Sequence, residues 1–210
     1  MVIRDFMPRS TTDLAAVIRI HRAAFPNFFL TEMGPGFLAA YYRMVGRYEP
    51  SVFLVAEDDG AVRGFVAGFS DPAGFYAAMR RQWWRLFLPL VSGIVRRPQL
   101  IRAVFSNLSR VLAGLGRPRG ESVPDGKTDC ELASIAVDPA CGGSGVGARL
   151  VTAFCERARD SGAQAVTLTT ERDGNESVNR FYQKLGFLVV REFHRGPDRA
   201  MLEYELRLDT

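Results

Sequence analysis

A glycine-rich turn between a predicted strand and a predicted helix constrains this chain more than any other feature. The segment VDPACGGSGVGARL covers residues 137–150 and holds glycine at positions 142, 143, 145 and 147. Glycine lets an anionic group approach the main chain without a Cβ in the way, and the free N–H groups of a helix N-terminus point toward such a group. The sequence therefore predicts an anion site at the start of this helix.

Two common phosphate-binding patterns do not fit this turn. A Walker loop needs Gly-Lys-Ser/Thr after its last glycine, whereas Gly147 is followed by Ala148 and Arg149. A dinucleotide fingerprint can be placed on Gly143, Gly145 and Ala148, but the remaining chain is too short for the further strand–helix units of a doubly wound domain. The function of the turn must therefore be read together with a second motif.

That second motif is the segment NESVNRFYQKLGF, residues 175–187, which follows a predicted helix and strand. In this order the two motifs resemble the GNAT acetyltransferase superfamily. The acetyl-CoA signature of that family is Arg/Gln-x-x-Gly-x-Gly/Ala, followed later by Asn-x-x-Ala-x-x-x-Tyr-x-x-x-Gly-Phe. The resemblance extends to residues 3–26, which look like the family's opening strand and helix, but it does not cover residues 72–128. One position departs from the signature, because Gly142 stands where the family has Arg or Gln.

The resemblance implies an acetyl-CoA-dependent N-acetyltransferase that transfers acetyl directly to a primary amine. It also implies two parallel strands that splay apart, so that the pantetheine arm of the coenzyme lies between them. We attribute the splay to Asp138 and Pro139, since proline removes a donor from the strand ladder. The implied coenzyme contacts are Ile135, Ala136, Val137, Gly142, Gly143, Ser144, Gly145, Val146, Gly147, Asn175 and Tyr182.

Two catalytic roles follow from the resemblance and from the chemistry of acetyl transfer. Tyr182 occupies the position of the family's general acid, and a phenol is a suitable proton donor to a departing thiolate; the alternative is a tyrosine that only packs on the sheet. Glu131, at the head of the motif strand, is the predicted base, with Glu171 as its rival. Asn175 is predicted first as a helix N-cap, which is compatible with a coenzyme contact.

The order of elements predicts an α/β fold. We expect a mixed central sheet of about seven strands with a splayed parallel pair, helices on both faces, and a helical insertion. The predicted strands are residues 2–7, 52–56, 62–69, 131–137, 165–170, 187–193 and 201–208. The predicted helices are one that Ser10 or Thr12 caps, then residues 36–47, 145–160 and 175–185. We expect one domain over residues 1–210, with the insertion at residues 72–128.

The insertion is strongly basic. Residues 72–120 hold nine arginines and no Asp or Glu, so the rest of the chain is acidic although the whole has a net charge of +4. Its apolar pattern predicts two amphipathic helices. They either pack on the core with a solvated arginine face, or form a lid for an anionic acceptor such as a nucleotide-linked amino sugar, a helix on anionic lipid, or a homodimer surface. We favour the lid among the functional alternatives, and we expect no nucleic-acid binding.

Composition limits the remaining functions. Two histidines, His21 and His194, and three cysteines at no ligand spacing predict no metal site and a cytoplasmic protein. The longest apolar stretch is too short to span a membrane. The predicted partner is a small-molecule amine acceptor. A protein acetyltransferase acting on an N-terminal or lysine amine is the alternative enzyme, and a non-catalytic acyl-CoA sensor is the alternative from another class.

Overall fold

The computed structural model describes residues 1–26, 28–82, 129–196 and 199–208. The strands are β1 (Val2–Asp5), β2 (Ser51–Asp58), β3 (Ala61–Phe69), β4 (Asp129–Val137), β5 (Ala165–Glu171), β6 (Leu188–His194) and β7 (Ala200–Arg207). The helices are α1 (Thr11–Ala24), α2 (Phe29–Glu32), α3 (Pro35–Arg47), α4 (Pro72–Arg81), α5 (Val146–Asp160) and α6 (Glu176–Lys184), and Pro139–Cys141 form a 3-10 turn.

The seven strands form one sheet in the order β1-β2-β3-β4-β5-β7-β6. All neighbouring strands are antiparallel except β4 and β5, which are parallel. The predicted α/β fold with a mixed seven-stranded sheet and one parallel pair is therefore confirmed.

Each face of the sheet has its own apolar core. Helices α1, α3 and α4 cover one face, where Val17, Leu38 and Phe75 are fully buried. Helices α5 and α6 cover the other, where Leu150 and Phe154 are fully buried. The sheet therefore lies between two helical layers, and side chains of both layers pack against it.

Most predicted elements are confirmed to within a few residues. Ser10 caps α1, because its Oγ accepts the Asp13 N–H at 3.1 Å. The buried residues of α3 are Phe37, Leu38, Tyr42 and Val45. Helix α4 begins the segment predicted as an insertion, and the rest of the two predicted amphipathic helices lies outside the described residues.

The parallel strands β4 and β5 pair over three residues and then separate. Their register runs from Asp129 opposite Ala165 to Glu131 opposite Thr167. The separation thus begins at the head of β4, and our attribution of it to Asp138 and Pro139 was wrong. Those two residues end the strand itself.

A β-bulge explains where the strands separate. Leu132 lies opposite Gly68 and Ser134 opposite Ala67, so Ala133 is an extra residue in β4. A bulge bends its strand and increases the local twist, which carries β4 away from β5. Gly68 fits the irregularity, because a Cβ there would lie 2.1 Å from the Glu131 carbonyl oxygen and 2.5 Å from the Phe154 ring.

The bulge also changes which side chains share a face of the sheet. Cys130 and Leu132 belong to the core under α5, whereas Ala136 belongs to the core under α1 and α3. In a regular strand these even-numbered residues would all point to one face. Because of the extra residue, Glu131 and Ser134, three positions apart, point to the same face.

No helix within the described ranges is long and apolar enough to cross a membrane.

Candidate active site

The chain between β4 and α5 is fixed by one buried carboxylate. Asp138 is 8% exposed, and its Oδ2 accepts a hydrogen bond from Arg19 of α1 at 2.6 Å. Its Oδ1 accepts the Ala140 N–H at 3.1 Å, and its own N–H donates to the Arg63 carbonyl at 2.7 Å. The Arg19 hydrogen bond, helped by the Ala140 amide, lowers the pKa of this carboxyl. Asp138 therefore stays ionised and sets where the glycine turn leaves the sheet.

The glycine turn presents several backbone N–H groups on an open surface. Gly143 and Gly145 have φ of 75° and 77°, a region that favours glycine, and a Cβ at either would meet nothing within 4 Å. The Arg149 N–H makes the first bond inside α5, to the Gly145 carbonyl. The N–H groups of the first helical turn, residues 146–148, thus have no acceptor within the helix. Helix α5 directs its positive end toward this surface.

Gly142 lies at the edge of this turn with φ −58° and ψ 140°, and its N–H donates to the Pro139 carbonyl at 3.1 Å. The Ser144 hydroxyl donates back to the Cys141 carbonyl, which ties the turn together. The turn therefore offers an anion main-chain donors at positions where related signatures add an Arg or Gln side chain.

The separation of β4 from β5 opens the main chain of β4. Hydrogen-bonding direction alternates along a strand, and the Asp138 N–H faces Arg63 of β3. Ser134 and Ala136 therefore direct their main-chain groups toward β3. Ile135 and Val137 direct theirs toward the interval between β4 and β5. An extended ligand in this interval can pair with the main chain of β4 as a neighbouring strand would.

Tyr182 lies in the apolar core that α5 and α6 cover. It is 5% exposed and packs edge-on against Phe181 and Phe187, with ring centroids 5.1 Å and 5.7 Å away. It belongs to the same core as Ile135 and Val137, which pack against that core from β4. Burial raises the pKa of the Tyr182 phenol, so the hydroxyl keeps its proton at neutral pH. It is therefore available as a proton donor.

Asn175 stands at the N-cap position of α6, but its side chain does not cap the helix. Its Nδ2 donates to Thr170 Oγ1 at 2.6 Å and to the Glu171 carbonyl at 3.3 Å. Asn179 adds bonds to the Glu171 and Arg172 carbonyls at 3.2 Å and 3.1 Å. The two amides thus fix the end of β5 to the helix that carries Tyr182. Asn175 is thus the N-cap residue as predicted, although its side chain bonds to β5 and not to the first turn of α6.

Glu131 lies on the opposite face of the sheet, at the last residue pair before β4 and β5 separate. The Tyr76 hydroxyl of α4 donates to Glu131 Oε1 at 3.4 Å. Desolvation and the charge of Glu131 both raise the pKa of Tyr41 and of Tyr76. A carboxylate and two protonated phenols therefore line this side of the interval.

Comparison with known proteins agrees with this geometry. The family described as "Acetyltransferase (GNAT) family" matches residues 106–187, which include β4, the glycine turn, α5, β5 and α6. This match groups residues 106–187 with the GNAT acetyltransferases. The family resemblance of the sequence and the dependence on acetyl-CoA as acetyl donor are thereby confirmed. No curated protein matches the chain.

Solved structures show the same fold at low sequence identity. An aminoglycoside 6'-acetyltransferase type Ii is 15% identical, with a TM-score of 0.63 over 99% of this chain and 97% of its own. An aminoglycoside 6'-N-acetyltransferase complexed with coenzyme A is 13% identical, with a TM-score of 0.62 and the same coverage. The ribosomal-protein-alanine N-acetyltransferase of Brucella melitensis is 16% identical, with a TM-score of 0.61 over 99% of this chain and 100% of its own.

The rival carboxylate, Glu171, is placed differently in this GNAT fold. Arg199 of the β6–β7 connection donates to Glu171 Oε1 from both Nε, at 2.8 Å, and Nη2. The Glu171 side chain is also 40% exposed. Its charge is therefore compensated by a guanidinium and by solvent.

The sequence did not predict a hydrogen-bonded group that involves His21, Tyr42 and Ser134. Tyr42 Oη and His21 Nδ1 are joined by a hydrogen bond of 2.7 Å, and Tyr42 Oη lies 3.5 Å from Ser134 Oγ. Burial lowers the pKa of His21 to about 4, so this side chain is neutral at pH 7. Tyr42 lies in a helix predicted from the sequence, but its approach to Ser134 of β4 depends on how α1 and α3 cross the sheet.

We predict that Arg19→Met weakens acetyl-CoA binding about three- to tenfold, because Asp138 would stay buried without its charged donor and the glycine turn would lose its anchor. Isothermal titration calorimetry with acetyl-CoA measures the effect. Arg157→Met is the matched control, since it breaks an ion pair with Asp5 of 2.9 Å at the other end of α5. Equal affinities in the two variants would contradict the anchoring role of Asp138.

Proposed function

We propose that this protein binds acetyl-CoA in the interval between β4 and β5 and transfers the acetyl group directly to a primary amine in a ternary complex. One observation carries the proposal: the interval joins open main-chain groups of β4 to the N–H groups of the glycine turn. The first can pair with an amide-rich arm and the second can bind a pyrophosphate. This proposal assigns coenzyme contacts to Ile135 and Val137 and to the turn over residues 142–147.

The proposed coenzyme contacts differ in kind along the chain. Gly143 and Gly145 provide the close approach, and Val146 and Gly147 provide helix N-terminal donors. Ala136 directs its main chain toward β3, so its contribution is the apolar wall under α1 and α3. Asn175 acts by fixing the end of β5, and Ser144 by bracing the turn. Because Gly142 has no side chain, the proposed pyrophosphate site consists of main-chain donors.

The chemistry divides between the two faces of the sheet. Acetyl-CoA supplies an activated thioester carbonyl. Glu131 accepts a proton from the acceptor ammonium, directly or through water, so that the amine nitrogen can form the new C–N bond. Tyr182 donates its proton to the sulfur as the C–S bond breaks, and the extra proton on the acylated nitrogen is lost to water, from which the Tyr182 phenolate is reprotonated. The proposed acid lies on the face of the sheet that α6 covers, and the proposed base lies on the face that α4 covers. The two proton transfers therefore take place on opposite faces of the sheet.

Glu131 is favoured over Glu171 as the base because of its surroundings. Glu131 lies where β4 leaves β5, next to the phenols of Tyr41 and Tyr76. The Glu171 carboxylate instead accepts hydrogen bonds from Arg199, so its Oε1 is already occupied by a guanidinium.

For the acceptor we propose a small molecule that carries negative charge, with a nucleotide-linked amino sugar as the specific class. Arg80 and Arg81 are exposed on the last turn of α4, the helix whose Tyr76 contacts Glu131. Arg195, in the β6–β7 connection, acts electrostatically on Tyr76. Guanidinium groups suit the diphosphate of such an acceptor because they donate paired hydrogen bonds.

We further propose a cytoplasmic location and one domain over residues 1–210 with residues 72–128 inserted. The three cysteines are free thiols, and Cys130 and Cys155 are buried. Free thiols are typical of a reducing compartment.

Replacing Tyr182 by Phe should lower kcat about 100-fold or more and leave the affinity for acetyl-CoA within twofold, because only the proton donor is lost. Free-thiol release measures kcat, and calorimetry measures affinity. Tyr204→Phe is the control, since this buried tyrosine of the same core donates to Asn179 at 3.3 Å instead. An unchanged kcat in Tyr182→Phe would rule out its role as the acid.

Glu131→Gln should abolish most turnover near neutral pH, whereas Glu171→Gln should retain it, because only the first removes the proposed base. The same thiol-release assay compares the two variants over a range of pH. At high pH, where the acceptor amine is already neutral in solution, the defect of Glu131→Gln should become smaller. The reverse ranking of the two variants would assign the base to Glu171.

Reversing the charges in Arg80→Glu/Arg81→Glu should raise the KM for a UDP-linked amino sugar at least tenfold and spare acetyl-CoA binding. Arg43→Glu/Arg47→Glu is the matched control, with the same charge change on α3. The acceptor is identified beforehand by thiol release against UDP-amino sugars, aminoglycosides and peptides with a free N-terminus. Turnover of peptides alone would favour a protein acetyltransferase, and acetyl-CoA binding without any turnover would favour a sensor.

A further inference from the structure

The start of helix α4 is held firmly against the sheet. Asp71 caps the helix, with its Oδ1 accepting the Gly74 N–H at 2.8 Å. The Tyr48 hydroxyl, just after α3, donates to Asp71 Oδ2 at 2.8 Å. These bonds fix the first turn of α4 to the region between α3 and β2. The position of Tyr76, one turn further on, is therefore set by contacts outside the site.

Aromatic packing fixes the Tyr76 side chain as well. Phe75 is fully buried and stacks on Phe69 of β3, with ring centroids 3.9 Å apart and planes 16° apart. The Tyr76 ring packs edge-on against Phe69, at 6.3 Å between centroids. Phe69 is also the residue opposite Glu131 in the β3–β4 ladder. Tyr76 and Glu131 are thus held by the same strand.

The contact between the two side chains joins a donor to a carboxylate. The Tyr76 hydroxyl donates to Glu131 Oε1 at 3.4 Å. Burial and the nearby Glu131 charge raise the pKa of Tyr76, so the phenol keeps its proton at neutral pH. A hydrogen bond donated to the charged form of an acid lowers the pKa of that acid.

The geometry points to Tyr76 as a positioning residue, supplied by the first helix of the basic insertion, that holds the Glu131 carboxylate ionised and oriented toward the incoming amine. The inference rests on the proposed role of Glu131 as base and goes further, since it gives the insertion a part in the chemistry. Tyr41, which lies near the same carboxylate, provides the comparison. Its ring packs on Tyr42 and Phe75.

The pKa of Glu131 itself tests the inference without any acceptor. We would label the glutamates with ¹³C at the side-chain carboxyl carbon, assign Glu131 with Glu131→Gln, and titrate by NMR. In Tyr76→Phe the pKa of Glu131 should rise by about half a unit or more, since a donor to the ionised form is lost. Tyr41→Phe, with the same loss of a hydroxyl, should cause a smaller shift. Phenylalanine keeps the ring at position 76, and thermal unfolding verifies the fold of both variants.

Turnover provides the second measurement. With the acceptor found in the thiol-release screen, the kcat/KM of Tyr76→Phe should fall at low pH and return to the wild-type value at high pH, where Glu131 is ionised in both proteins. A purely structural defect would lower kcat/KM equally at every pH.

An unchanged Glu131 pKa in Tyr76→Phe, or a shift equal to that in Tyr41→Phe, would overturn the inference. This outcome is distinct from failure of the proposed base. If Glu131→Gln loses turnover while Tyr76→Phe leaves the Glu131 pKa unchanged, the base assignment survives and the role of Tyr76 does not. Calorimetry with acetyl-CoA should give the wild-type affinity in Tyr76→Phe.

Discussion

The separation of β4 from β5 is the constraint on which the rest of the site depends. Parallel strands normally satisfy each other's main-chain groups along their length, and unpaired groups inside a sheet are costly unless a ligand or water takes their place. Here the pairing ends at Glu131 and Thr167, and the bulge at Ala133 carries β4 away. The open groups of Ile135 and Val137 are therefore built into the fold before any ligand binds.

The same bulge arranges the chemistry. By adding one residue, it places Glu131 and Ser134 on the face covered by α1, α3 and α4, and Ile135 and Val137 on the face covered by α5 and α6. Tyr182, the proposed acid, belongs to the core on the second face. The proposed proton donor and the proposed proton acceptor thus lie on opposite faces of the sheet. Separation of this kind keeps the acid from protonating the base directly.

In the proposed pyrophosphate site, main-chain donors replace the Arg or Gln of the family signature. Its donors are main-chain N–H groups, aligned by the dipole of α5 and exposed by glycine. Such a site depends on the position of the turn more than on any one side chain, and Asp138 with Arg19 fixes that position. The proposal therefore links cofactor binding to α1, a helix on the other face of the sheet.

The sequence predicted local features better than contacts between distant residues. The strand, turn and helix of residues 131–160 follow from glycine placement and apolar periodicity, and the paired motifs were sufficient for the family. The bulge at Ala133 was missed because an alanine in a strand carries no signal, and its effect comes from Gly68 on another strand. The Tyr76 contact was missed because it depends on how α4 is anchored by Asp71 and Tyr48.

The most direct test of the account is a titration of ¹⁵N-labelled protein with acetyl-CoA, followed through the backbone amide resonances. The account predicts large shifts for Ile135 and Val137 and for the glycines at 143, 145 and 147, with smaller shifts for Ser134 and Ala136, whose main-chain groups face β3. Saturable binding that leaves Ile135 and Val137 unmoved would contradict it, because the ligand would then lie outside the interval between β4 and β5.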